Sequence, residues 1–253
     1  MAFSTNIYSA LSARAYAEQS WPTIGFHDQA ARALAKLLGV TAPIKNDPIW
    51  ERHCLLRSQW FDERCRQFFK RYPQAMCIDL GAGLSTRFHR LSESDDWPRF
   101  SWVDVDLPEV TELKAKAIPQ IDNYRLISAN IVKDDWLIAS GWHPHTPLII
   151  TLESVLQGMD SSDISAIFST IAKHCLAGSN IEIVFDYPRP KARWYQFLTF
   201  DPYVLLLQNL RHCLASLGLV LEYTDYMQTI MKAKTEQFFV CSVAASKDSV
   251  FFR

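Results

Sequence analysis

Three kinds of signal are missing from this sequence, and each absence removes a class of protein. Charge of one sign is the first: 26 Lys and Arg stand against 27 Asp and Glu in 253 residues. No basic run is dense enough to track a phosphate backbone, so nucleic acid is not an expected partner. Long apolar runs are the second. None approaches the roughly eighteen residues that span a bilayer, and Met1-Ala-Phe-Ser-Thr5 lacks a charged start followed by an apolar core. The expectation is a soluble, unexported chain with no membrane partner. Paired cysteines are the third: Cys54, Cys65, Cys77, Cys175, Cys213 and Cys241 form no Cys-Xaa-Xaa-Cys pair and no Cys/His cluster at zinc spacing, so no metal site is expected. Cys77 and Cys241 fall inside apolar runs and read as buried, reduced thiols, which suits a cytoplasmic protein. Internal repeats and low-complexity segments are lacking as well.

What is present can build one sizeable core. With 49% hydrophobic and 21% charged residues, the chain is expected to form a single α/β domain over 1–253. Helical patterns fill the first part, with a break at Trp21-Pro22. Asp28 is placed to cap a helix over 29–38 that stops at Gly39, and a second helix covers 49–71. Short apolar runs at 75–80, 100–106, 124–129, 148–152 and 181–185 read as buried strands. Helices are expected between them, at 108–117, opened by Pro108, and at 161–175. A helix over 202–217 ends at Gly218, and 219–226 and 237–244 have the β-branched and aromatic character of strands. Strands alternating with helices predict a Rossmann-like, doubly wound, seven-stranded and mostly parallel sheet. The two closing strands form an antiparallel edge hairpin, and the first helices form an N-terminal extension (1–73) beside the core (74–253).

The most informative stretch is Ala75-Met-Cys-Ile-Asp-Leu-Gly-Ala-Gly83, followed by Phe100-Ser-Trp-Val-Asp-Val-Asp106. A buried strand runs into two glycines, which let the main chain turn sharply against a ligand. The next strand ends in carboxylates, where a doubly wound sheet holds the hydroxyls of a ribose, with Asp104 and Asp106 competing for that role. The third glycine of a dinucleotide fingerprint is missing, since Arg87 and its neighbours offer none.

Four segments then carry a resemblance: Arg57-Ser-Gln-Trp-Phe-Asp62, Asp79-Leu-Gly-Ala-Gly-Leu-Ser-Thr-Arg-Phe88, Val105-Asp-Leu-Pro-Glu-Val110 with Lys114 beyond, and Leu148-Ile-Ile-Thr-Leu-Glu-Ser-Val-Leu156. In order and spacing they resemble the class I S-adenosylmethionine-dependent methyltransferases. Within these, the likeness is to the leucine carboxyl methyltransferase family and its tetracenomycin-type polyketide O-methyltransferase branch. The likeness covers about residues 8–187.

That resemblance implies S-adenosylmethionine as cofactor and assigns roles. Arg57 would pair with the methionine carboxylate, as suits a guanidinium fork. Gly81, Ala82 and Gly83 would pass against the methionine and ribose, Asp106 would take the ribose hydroxyls, and Glu153 would face the amino or sulfonium side. Asn130, with Ile131, stands where relatives place an Asp against the adenine, and can accept from the adenine amino group or donate to the ring. Gly158 replaces a tyrosine that many relatives carry, so the acceptor side differs.

Methyl transfer from a sulfonium needs alignment and a dry pocket, and a base only if the acceptor is not already ionised. His27, His53, His89, His143, His145, Asp186 and Tyr187 are candidates. His143 and His145 precede the fourth strand, at the wrong end. Asp186 and Tyr187, after the fifth strand, are the expected acceptor contacts. Aromatic residues gather in the first helices (Tyr8, Tyr16, Trp21, Phe26, Trp60) and in Trp194-Tyr-Gln-Phe-Leu-Thr-Phe200. With an insertion near 187–205, these would roof a flat or apolar acceptor. The expected function is a small-molecule O-methyltransferase of secondary metabolism. Its rivals are a carboxyl methyltransferase of a small acid or a protein C-terminus, and a cofactor-binding module without turnover. The acceptor and the oligomeric state are not legible.

Overall fold

The computed structural model describes residues 2–93, 99–156, 159–174, 180–188, 220–227 and 238–244, with the backbone alone for 2–6, 187–188, 220–227 and 238–244. The expected helix at 202–217, the aromatic segment at 194–200, most of the insertion and Gly158 lie outside the described residues.

The chain opens with α1 (Ala2–Ala15), α2 (Ala17–Ser20), a 3-10 turn (Pro22–Ile24), α3 (Gln29–Leu37) and α4 (Pro48–Arg71). Local chemistry fixes their starts. The Asp28 carboxylate accepts from the Ala31 N–H at 2.8 Å, and Asp47 accepts from Ile49 and Trp50 while Pro48 supplies a first-turn residue with no N–H to satisfy. The core then alternates: β1 (Met76–Leu80), α5 (Arg87–Ser92), β2 (Ser101–Asp106), α6 (Pro108–Ala115), β3 (Tyr124–Ser128), α7 (Trp136–Ala139), β4 (Leu148–Leu152), α8 (Ser161–His174) and β5 (Ile181–Pro188). β6 (Val220–Met227) and β7 (Phe238–Ala244) follow.

The sheet order is β3-β2-β1-β4-β5-β7-β6. β1 to β5 pair in parallel, as the Rossmann-like α/β reading expects, and β7 runs antiparallel to both β5 and β6. Strand order reverses at β1, between its neighbours β2 and β4, which places ligands at the carboxyl ends of these strands.

A strand's two-residue period splits the core into two layers. Ile78, Leu80, Val103, Val105, Ile150 and Leu152 face α7 and α8, where Trp136, Ile167 and Phe168 close over them. Cys77, Trp102, Ile149 and Val184 face the other way and pack with Leu11 of α1, Leu34 of α3, Phe61 and Phe68 of α4 and Phe88 of α5. The N-terminal helices are therefore a true layer of the fold. By the same parity Asp79, Asp104, Thr151, Glu153 and Asp186 all project toward that helical layer, and the site is built from this fact. β1 and β2 lie in register with Asp79 opposite Asp104, and Asp79 is opposite Thr151 on β4.

Two short helices, α5 and α7, have no counterpart among the expected elements. At six and four residues they carry no apolar stripe long enough to read. β5 also runs to Pro188, past the expected end at Phe185. Among the described residues no helix is long and apolar enough to cross a membrane.

Candidate functional site

The turn after β1 is pinned from two sides. The Gly81 N–H donates to the Val105 carbonyl at 2.8 Å, continuing the ladder one step past the strand, and the Gly83 N–H donates to Asp106 Oδ2 at 2.7 Å. Both glycines have positive φ, 62° and 53°, but only Gly81 is also sterically closed: a Cβ there would meet Val155 Cγ2 at 2.8 Å. Gly81→Ala should therefore cost about 1–2 kcal/mol from the left-handed backbone plus the clash, and weaken cofactor binding by displacing the turn. Gly83→Ala should show the backbone part alone. Urea unfolding and calorimetric titration of the two variants side by side check this order.

Asp104 and Asp106 divide cleanly. Asp104 is buried and saturated: Lys114 Nζ and Tyr124 Oη donate to Oδ2 at 2.6 Å each, and Trp102 Nε1 donates to Oδ1 at 2.8 Å. It joins α6, β3 and β2 inside the core and has nothing to offer a ligand. Asp106 is half-buried, holding the Gly83 and Leu107 N–H groups at the strand tip. Burial pushes its carboxyl up, and the two N–H donors oppose that shift.

Below the turn lies a buried ionic cluster. Arg57 on α4 donates through Nε to Glu153 Oε1 at 3.2 Å and lies 3.7 Å from Asp186 Oδ2, and Ser58 Oγ donates to the same Glu153 oxygen at 2.9 Å. Arg87 of α5 is the hub. Its Nε donates to Asp62 and its Nη1 to Asp79, both at 3.0 Å, and its Nη2 to Glu153. Arg90 continues the chain to Asp62 and, at 2.6 Å, to Asp28, the residue that caps α3. Thr151 donates to the other oxygen of Asp79 at 2.7 Å. Arg57, Asp62, Asp79, Arg87, Arg90 and Asp28 are each less than a tenth exposed, whereas the Glu153 side chain is 12% exposed. The cluster thus opens toward solvent at Glu153. Burial works to raise the Glu153 carboxyl, but Arg87, Arg57 and Arg14 outweigh it and hold it down at about 2. Asp79 goes the other way, pushed up to about 6 by burial despite Arg87.

Arg14 on α1 is the remaining cation. It is buried, donates through Nη2 to the Leu84 carbonyl at 3.0 Å just past the glycine turn, and its Nε has no hydrogen-bond partner among the described residues. Its field reaches Glu153. A buried guanidinium with a vacant donor beside a turn of this kind fits an anionic ligand group. Neither Arg14 nor Arg87 was assigned a role from the sequence. The signal available was parity and charge: Arg87 stands in the same short segment as Asp79, and Asp62 five residues after Arg57.

Two expectations need correction. Asp186 is completely buried, accepts the Ser154 N–H at 2.5 Å and faces Arg57, so its carboxylate does not open to an acceptor. It holds Arg57 and fixes Ser154, which has φ 62° directly after Glu153. Asn130 Oδ1 already accepts from the N–H groups of Val132 and Lys133, at 3.0 and 3.2 Å, closing its own turn, so the acceptor role toward an adenine amino group is filled locally. Its amide N–H₂ remains the group that can reach a ligand. Ile131 packs partly buried on the α7–α8 side.

The histidines do not converge. His27 is exposed and pairs with Glu18, His143 and His145 are exposed before β4, His89 packs edge-on to Tyr124, and His53 is buried on α4. Tyr16, Trp60 and Phe26 are occupied in packing the helical layer. Among the described residues no group of three His, Cys, Asp or Glu could hold a metal.

The family description "Leucine carboxyl methyltransferase" matches residues 9–172. The chain is 28% identical over 134 residues to the tetracenomycin polyketide synthesis O-methyltransferase TcmP of Streptomyces glaucescens, covering 53% of this chain and 47% of that protein. It is 28% identical over 163 residues to the protein ML2020 of Mycobacterium leprae (strain TN), covering 59% and 50%. The chain spans about half the length of these curated relatives. The solved CurJ carbon methyltransferase superposes with a TM-score of 0.57 at 13% identity, covering 95% of this chain and 67% of that one, a likeness of fold.

Proposed function

The chain belongs to the leucine carboxyl methyltransferase family, and on that premise we propose that it is an S-adenosylmethionine-dependent O-methyltransferase. Its acceptor is a hydroxyl or carboxyl group of a small, aromatic or apolar metabolite of secondary metabolism. The observation that carries this reading is the convergence, at the carboxyl ends of β1, β2 and β4, of a closed glycine turn, the half-open Asp106 and the Arg57–Glu153 pair.

These residues fit an amino-acid-bearing nucleoside. When bound, the cofactor supplies an activated methyl group, and the chain supplies alignment. Arg57 and the vacant donor of Arg14 hold the methionine carboxylate, while Glu153, ionised across the working pH range, holds the ammonium group. The main chain at Gly81, Ala82 and Gly83 lies against the methionine and ribose. Asp106 accepts from the ribose hydroxyls, and Asn130 donates to the adenine beside Ile131. Asp186 keeps Arg57 and the Ser154 turn in place, and Tyr187 contacts the acceptor. We assign these roles to one domain over 1–253, in which 1–73 and the insertion near 187–205 roof the acceptor.

The sequestration of Asp186 favours a second reading within the same class. With Asp186 buried against Arg57, an acceptor already ionised at neutral pH, a carboxylate, is served best. One experiment separates the readings. Incubation with methyl-deuterated S-adenosylmethionine and an extract of the source organism should yield a labelled small molecule, and alkaline lability of the label marks an ester and so a carboxylate acceptor. Label on protein alone would contradict both readings. Cofactor binding with no label anywhere would mark a module without turnover.

A further inference from the structure

The chain leaves β4 at the rim of the site through Glu153, Ser154, Val155 and Leu156, and three of these are anchored by what they touch. Glu153 is held by Arg57, Ser58 and Arg87. Val155 packs on the α7–α8 side and stands over Gly81, its Cγ2 2.8 Å from where a Cβ would be, and Leu156 is buried in the same layer. Ser154, between them, is exposed. With φ 62° it is the one non-glycine residue of positive φ among the described residues, in a backbone state that disfavours any residue with a Cβ and that glycine takes freely. Buried Asp186 holds it there by accepting the Ser154 N–H at 2.5 Å. What serine adds over glycine at this position is one hydroxyl, which makes no hydrogen bond among the described residues. The segment also straddles the site. Val155 leans back over the turn that follows β1, whereas Ser154 is tied by its N–H to β5, on the opposite side of β4.

Resting on the methyl-transfer reading above, we infer that Ser154 is an acceptor-binding residue, whose hydroxyl donates a hydrogen bond to an oxygen of the methyl acceptor. Strain that persists because its surroundings over-determine it gathers at binding positions, and Glu153, Asp186, Val155 and Leu156 supply those surroundings here. The cofactor reading fills the space over β1, β2 and β4, so a free donor on the β5 side stands beside the space left for the acceptor. A serine hydroxyl can donate to a carboxylate oxygen or to a hydroxyl oxygen without itself ionising. Asp186 then acts on the acceptor through Ser154 and is a positioning residue.

The test is label transfer from methyl-deuterated S-adenosylmethionine to the small molecules of a source-organism extract, measured over a series of extract dilutions. It compares the full chain with Ser154→Ala and Ser154→Gly. Both variants lack the hydroxyl, but alanine keeps the backbone strained and glycine releases it. The extract concentration giving half the maximal rate should rise about tenfold in both, the effect of losing one hydrogen bond to a bound group. Affinity for S-adenosylmethionine, from calorimetric titration, should stay within about twofold. Ser154→Gly should unfold at no lower urea concentration than the unmodified chain, so its loss of transfer does not report misfolding. A role confined to backbone geometry predicts a different split, with alanine behaving as serine and glycine alone altering the rate. That split, or an unchanged half-saturating concentration in both variants, would overturn the inference and leave the methyl-transfer reading intact. A loss of cofactor affinity as large as the loss of transfer would put the hydroxyl on the cofactor and overturn it equally. Absence of label with the unmodified chain would overturn the methyl-transfer reading, and the inference with it.

Discussion

Replacing Arg87 by methionine is expected to remove about 3–5 kcal/mol of stability, the loss typical of stripping the partner from a buried ion pair. The reason is the number of groups left behind. Arg87 is 1% exposed and serves carboxylates from three elements: Asp62 on α4, Asp79 on β1 and Glu153 at the end of β4. Methionine fills similar volume, so the packing against Phe61, whose ring lies 5.2 Å from the guanidinium, is largely kept and the measured loss reports charge. Arg87→Lys should recover only part of it, because one ammonium cannot reproduce a planar fork toward three acceptors. Urea unfolding followed by tryptophan fluorescence measures the change through the midpoint at constant slope. A loss below about 1 kcal/mol, the range of an exposed salt bridge, would mean that water reaches the cluster.

The second large effect concerns the two aspartates two residues apart on β2. Asp106→Ala should lower S-adenosylmethionine affinity by about two orders of magnitude. A carboxylate bridging two ribose hydroxyls makes hydrogen bonds worth about 1.5–3 kcal/mol each, and the Gly83 N–H loses its acceptor as well. Global stability should change little, since Asp106 is half-open. Asp104→Asn should do the reverse. It leaves Lys114 buried against a neutral amide and should lower stability by about 3 kcal/mol with cofactor affinity nearly intact in the folded fraction. Titration and unfolding of both variants form a crossed test. Equal affinity losses in the two would show that the ribose is not held at the strand tip.

Much of this arrangement was legible in the sequence because it rests on short-range rules. Short apolar runs marked the parallel strands, Asp28 and Pro108 marked helix starts, and Gly81 declared a turn that a side chain cannot make. The roles of the charged residues were harder to read. Arg87 meets Glu153 across 66 residues, and Arg57 meets it across 96. Such pairings depend on which elements become neighbours in space, and a helix as short as α5 announces neither its existence nor its face. Strand parity could have helped. Asp79, Asp104 and Thr151 share a face, and two carboxylates opposite each other on adjacent strands demand cations from the layer above, which α5 and α6 supply through Arg87 and Lys114. For Asn130 only the acceptor half of the reading fails, and for a different reason. A residue type suited to adenine is equally suited to closing its own turn, and the local donors reach its oxygen first.

The most direct test of the account is a crystal structure of the chain with S-adenosylhomocysteine. The account predicts the ribose hydroxyls on Asp106, the amino-acid carboxylate against Arg57 and the vacant donor of Arg14, the ammonium on Glu153, and Asp104 untouched inside its three donors. A ligand bound elsewhere, or a ribose held by any group other than Asp106, would contradict it.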